Sequence, residues 1–153
     1  MYTQTVRQLL LVMHLCGLTL MIGSTVTAFV TFRAFIKRLK ENEGSGLLKL
    51  LSALGPIKGT GIILLILSGI GLTLFTRGVF LQMLWLQIKL FLVLLLPFNE
   101  ILIGNRQLKK LNTAFNENNG TVLKMTVPRL NIFYTFQLVL FLSIIVLAVF
   151  KFN

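Results

Sequence analysis

Acidic side chains are scarce in this chain: Asp and Glu number four in 153 residues, against 15 Lys and Arg. With no cluster of carboxylates or hydroxyls, general acid–base catalysis by the protein itself has no candidate pair. Cys16 is the only cysteine, which excludes an intramolecular disulfide and any zinc-type Cys/His spacing. No phosphate-binding glycine loop and no Gly-x-Ser-x-Gly elbow occurs either. Charged residues make up 12 %, where a soluble domain carries about a quarter. That is too little to cover a water-facing surface.

What fills the chain instead is apolar. Hydrophobic residues account for 56 % and the mean hydropathy is +0.87. Four stretches reach the length of about 20 residues needed to cross a bilayer, at 6–32, 56–75, 80–103 and 132–150. The sequence therefore predicts an all-α integral membrane protein, a four-helix transmembrane bundle forming a single domain over 1–153. The segment LLKLLSAL (47–54) is too short to span alone, and either extends the second helix or lies in the interface. Val26-Thr27-Ala28 resembles a signal-peptide cleavage site, but the run before it is long and its head carries only Arg7, so an uncleaved span is expected. No internal repeat is evident.

A net charge of +11 on a soluble protein would suggest nucleic acid; placed between spans, it fixes topology and meets anionic lipid head groups, so no nucleic-acid partner is expected. Between spans one and two lie Arg33, Lys37, Arg38, Lys40, Lys49 and Lys58. Between spans three and four lie Arg106, Lys109, Lys110, Lys124 and Arg129. The opposite side has only Arg7, Arg77 and Lys151. Eleven against three places both long basic loops in the cytoplasm and both termini outside, in a multi-pass protein of a bacterial inner membrane. Thr76-Arg77-Gly78 reads as a tight turn and NTAFNENNGTV (112–122) as a flexible one. Gly55-x-x-x-Gly59 has the spacing of a close helix contact, but at a helix end it reads first as punctuation and ordinary packing, leaving a homo-oligomer open.

Inside the spans, three ionisable residues stand out. His14, the only histidine, lies in LLLVMHLCGLTLMIG (9–23), eight residues or roughly 12 Å from the start of span one. Lys89 lies nine residues, roughly 13 Å, into span three from the same side. An intramembrane lysine costs several kcal/mol on insertion scales and should face the interior, a cavity or a partner. Glu100 shares the face of Lys89 but sits about 16 Å along it, too far to pair. Two basic side chains at one depth without an acid suit an external ligand. A neutral imidazole and a neutral amine can each donate a lone pair to a metal, and haem offers an iron with two axial positions and two anionic propionates.

Other residues complete this candidate pocket. Gln82, Trp85, Lys89, Val93, Leu96 and Glu100 form one stripe of span three at helical spacing. Gly17, Met21 and Thr25 continue the face of His14, leaving a smooth wall for a flat macrocycle, and Trp85 is placed to stack on a ring. An alternative metal is copper, through Met13, His14, Cys16, Met21 and Met83, since sulfur and imidazole suit Cu(I). Successive residues of Met13, His14 and Cys16 diverge by about 100° per step, so these cannot all converge from one helix.

A His early in span one (LLLVMHLCGLTLMIG), a glycine-rich span two (GTGIILLILSGIGLTL) and an aromatic-then-Lys span three (WLQIKLFLVLLL) together resemble the HemJ-type haem-binding protoporphyrinogen IX oxidases. The layout also resembles the copper-resistance-D-like membrane domains. The resemblance implies that His14 and Lys89 hold haem b. Where that family continues past helix one with an aromatic, Pro- and Arg-containing extension ending in another His, this chain has STVTAFVTFRAFIKRL, with Arg33 as a displaced counterpart. The expected function is thus b-type haem binding for electron transfer, or oxidation of a hydrophobic, porphyrinogen-like substrate, as a haem-dependent oxidoreductase. The rivals are a copper-handling membrane protein and a non-enzymatic membrane subunit in which His14 is structural.

Overall fold

The computed structural model describes residues 2–39, 44–75 and 83–150. Helix α1 spans Tyr2–Arg38 and α2 spans Ser45–Phe75. Helix α3, Leu84–Asn99, continues through one π-helical turn, Glu100–Gly104, into α4, Asn105–Asn116. Helix α5 runs Gly120–Val149. Among the described residues four helical rods are long and apolar enough to cross a membrane, with α3 and α4 forming one of them. The protein is an all-α, four-helix, multi-pass membrane bundle. Its apolar flanks, among them Leu9, Ile63, Phe91 and Leu142, face outward as lipid contact requires.

The rods are longer than the predicted spans, because both basic loops are largely helical. Helix α1 carries Arg33, Lys37 and Arg38, and 47–54 extends α2. The second basic segment is α4 with the start of α5, separated only by Glu117–Asn119. There Asn118 takes a left-handed φ of 51°, and the Asn119 side chain accepts from the Val122 N–H to cap α5. The asparagines suggested a loop, yet α4 keeps a helical period: Leu108, Leu111, Ala114 and Phe115 pack inward and Arg106, Lys109 and Lys110 outward. At 1.5 Å per residue α1 is about 56 Å long, so it outreaches a hydrocarbon core of about 30 Å. The predicted turn 76–78 falls outside the described residues, as do Lys40, Phe80, Gln82 and Lys151.

Helices α1 and α2 form the tightest antiparallel pair. Gly17 and Gly61 face each other, and a Cβ on either would lie 2.9 Å from a backbone nitrogen of the other helix and 3.0 Å from the opposite glycine's carbonyl oxygen. This pair, one glycine from each helix, sets the approach. Around Gly55 and Gly59 a Cβ would meet nothing within 4 Å, so that motif packs against no helix here. Helix α5 packs on α1, α3 and α4.

Two apolar layers fill the interior. One, at the basic end, contains Phe32, Phe35, Leu48, Leu51, Leu111, Leu130 and Phe133. The other contains Met21, Leu65, Leu96, Leu140, Phe141 and Ile144. Between them every rod contributes polar side chains: Ser24 and Thr25 from α1, Lys58 from α2, Asn99 and Glu100 at the end of α3, and Gln137 from α5. Lys58, counted in a cytoplasmic loop from the sequence, is 3 % exposed inside the bundle.

Candidate functional site

His14 and Ser68 join α1 to α2 beyond the Met21–Leu65 layer, two turns from Met21 on α1 and one turn from Leu65 on α2. Small residues make this possible. Gly17 lets the helices approach, and Gly69 leaves room beside the ring, whose Cε1 would be 3.7 Å from a Cβ there. The His14 Nδ1 lies 3.0 Å from Ser68 Oγ. The single Ser68 proton is directed at the Leu64 and Leu65 carbonyl oxygens of its own helix. With the hydroxyl proton on either carbonyl, Ser68 Oγ accepts from His14 Nδ1–H, the tautomer in which Nε2 keeps its lone pair; in the other tautomer Ser68 donates to Nδ1.

Lys89 is half-buried on α3, and its charge reaches His14. The stripe predicted for span three turns inward, with Leu96 at 1 % exposed and Val93 against the second apolar layer. The side chains of Trp85 and Gln82 lie outside the described residues. Gly17 and Met21 do not front an open wall. Gly17 is closed off by Gly61 and Leu65, and Met21 is 1 % exposed in the core. Among the sulfur donors, Cys16 is exposed while Met21 is enclosed, so the copper set is not gathered at one place. Among the described residues no three His, Cys, Asp or Glu side chains cluster as metal ligands.

A second constellation was missed by sequence reasoning. Lys58 Nζ donates to both Glu100 carboxylate oxygens, at 3.0 Å each, with side-chain exposures of 4 % and 14 %. The Tyr134 ring lies under the ammonium, 5.9 Å from Nζ to the centroid. Beside them Asn99 Nδ2 donates to Gln137 Oε1 at 2.9 Å. Adjacent residues on a helix point about 100° apart, so Asn99 reaches α5 while Glu100 reaches α2. The π-helical turn and Pro97 reshape the backbone there, and Gly104 is needed: a Cβ would sit 2.6 Å from the Phe133 ring and 3.2 Å from the Glu100 carboxyl carbon. One signal was in the sequence. Lys58 falls two residues inside the predicted span 56–75, the base that Glu100 lacked when measured against Lys89 alone.

No family model matches this chain, and no match was found among curated proteins or solved structures.

Proposed function

We propose that the protein binds b-type haem in a bacterial inner membrane, with His14 as axial ligand and Lys89 facing it as second ligand or counter-charge to the propionates. The observation that carries this reading is the His14–Ser68 hydrogen bond. With Nδ1 as the donor, Nε2 would keep a lone pair for a metal, the way a metal-bound histidine is oriented by its outer partner. Gly17 and Met21 support it only indirectly, by seating α1 on α2, and Trp85 remains a stacking candidate from sequence.

His14 and Lys89 lie within helices long and apolar enough to cross a membrane, so a substrate or electron partner reaching them through lipid would itself be hydrophobic. Bound haem would supply one-electron chemistry for electron transfer or for oxidation of a porphyrinogen-like substrate. His14 would hold it, Ser68 would orient the imidazole, and the surrounding leucines would exclude water. A gathered sulfur set would have favoured copper, and Cys16 does not join one.

The test is an absorption spectrum of the chain purified from cells supplied with excess haem. The reading expects a Soret band in the wild type and its loss in His14→Ala with insertion unchanged. Ser68→Ala should weaken haem retention by about 10- to 100-fold, as loss of an outer-sphere partner does at metal sites. Lys89→Met should leave some haem with an altered spectrum. The rival reading, a structural histidine in a non-enzymatic subunit, rests on the same bond and expects no Soret band under any loading. His14→Ala would then cost only an interhelical hydrogen bond, about 0.6–2 kcal/mol.

A further inference from the structure

Two surface cavities open at the basic end of the bundle, and they differ in charge. One, of about 300 Å³ at the α4–α5 turn, is lined by Lys109 and Lys110 but also by Glu117, whose carboxylate opposes an anion. The other, of about 440 Å³, lies between the end of α1 and the first turns of α5. Leu39 forms its α1 wall, and Gly120, Leu123, Lys124, Val127 and Pro128 form its α5 wall. Its volume falls in the range of small-molecule sites, about 300–1,000 Å³. Lys124 is the one charged residue among those described along it.

The chemistry of this groove is amphipathic. Leu39, Leu123 and Val127 are half-buried against the apolar layer at this end, so the floor is apolar and held in place. Pro128 adds a polar feature. It has no N–H, so the Lys124 carbonyl oxygen four residues back loses its helical donor. Lys124 therefore brings both an ammonium donor and an unspent carbonyl acceptor to the groove.

Its depth matches a lipid surface. Pro128 is four residues, roughly 6 Å, beyond Ile132, where the predicted fourth span begins. The headgroup layer is about 5–7 Å thick on each side of the hydrocarbon core. Lys124 lies one turn further out, and its four-carbon stem lets the ammonium reach back to that layer. Lys37 and Arg38, immediately before Leu39, are exposed and add charge of the same sign. Of the four carboxylates, Glu100 is paired inside the bundle, Glu117 lines the other cavity, and Glu41 and Glu43 fall outside the described residues.

We propose that the groove between α1 and α5 holds the headgroup of an anionic, hydroxyl-bearing phospholipid of the phosphatidylglycerol type. Its phosphate sits on the Lys124 ammonium, and a headgroup hydroxyl donates to the Lys124 carbonyl oxygen. The carbon skeleton of the headgroup lies along Leu39, Leu123 and Val127, and the acyl chains descend past Pro128 into the leaflet. A choline headgroup would bring a quaternary ammonium toward Lys124 and no hydroxyl for the carbonyl.

Native mass spectrometry tests this on the full chain, delipidated in detergent and titrated with phosphatidylglycerol or phosphatidylcholine of the same acyl chains. Phosphatidylglycerol should be retained the more tightly, one per chain. Lys124→Gln should weaken that first lipid about 5-fold, the size of one lysine's attraction to an anionic lipid. Lys49→Gln, an exposed lysine of α2 at the same end, should change it little. Gly120→Trp fills the groove from a position where a Cβ meets nothing within 4 Å, so it should remove the preference with thermal stability unchanged. Phosphatidylmethanol, with the same charge and no headgroup hydroxyl, should bind less tightly than phosphatidylglycerol. Equal retention of those two would overturn the carbonyl contact. Equal retention of phosphatidylglycerol and phosphatidylcholine would overturn the site. Equal effects of Lys124→Gln and Lys49→Gln would overturn it too, leaving only a diffuse attraction to the whole basic end. A dimer that disappears in Gly120→Trp would give the groove to a second copy instead. None of these outcomes bears on haem.

Discussion

Lys58 and Lys89 are both lysines in membrane-crossing helices, and the bundle handles them differently. Lys58 is enclosed, bound to both oxygens of Glu100 and set over an aromatic ring. Lys89 is half-buried with the imidazole of His14 within electrostatic reach. Removing one partner of a buried ion pair strands the other, which costs about 3–5 kcal/mol, whereas removing both for apolar groups of similar volume is often neutral or stabilising. Lys58→Met and Glu100→Gln singly should each lower the midpoint of unfolding in detergent, and the double variant should recover most of the loss. A double variant as unstable as the worse single one would show that packing, not charge pairing, dominates there. The sequence named Glu100 but not its partner, because proximity to a span boundary made Lys58 look like a loop residue.

At the level of whole helices, glycine divides into positions that matter and positions that do not. Gly17→Ala would gain up to about 1 kcal/mol of helix propensity, yet its Cβ would press on the backbone of Leu65, which has nowhere to go. We expect a net loss of stability and weakened α1–α2 packing, read by thermal unfolding. Gly59→Ala meets open space, so it should be neutral or raise stability by up to about 1 kcal/mol. Equal effects of the two substitutions would refute this account of the contact. The GxxxG spacing was visible in the sequence, but the pair that decides the approach lies on two different helices, 44 positions apart. No local pattern reports such a pair. Helix α4 shows the converse: its inward Leu108, Leu111 and Phe115 were readable at helical spacing, and the surrounding asparagines masked them.

For the molecule as a whole, orientation rests on charge. Arg33, Lys37, Arg38, Lys49, Arg106, Lys109, Lys110, Lys124 and Arg129 all sit at one end of the bundle, and moving Lys58 inside does not change the asymmetry. From the positive-inside rule we expect that end in the cytoplasm and both termini outside. A single cysteine at Asn116, an exposed position at the end of α4, tests this in a Cys16→Ser background. Asn118 is the poorer choice, since its φ of 51° disfavours a cysteine. An impermeant thiol reagent should label Asn116→Cys only after the inner membrane is opened. Labelling in cells whose outer membrane alone is permeable would reverse the orientation.

The membrane class, the helix count and the inward stripe of α3 were set by the sequence, because lipid admits only long apolar helices and periodicity tells which face of each is buried. His14, Lys89 and Glu100 were identifiable for the same reason: a titratable group in an apolar run is expensive wherever it points. Tertiary structure alone decided what each of them meets. Ser68 beside His14, Lys58 beside Glu100 and Gly61 against Gly17 depend on the relative rotation and axial offset of helices far apart in the chain. Those two quantities come from side chains interlocking across an interface, and hydropathy along a single helix carries no record of them.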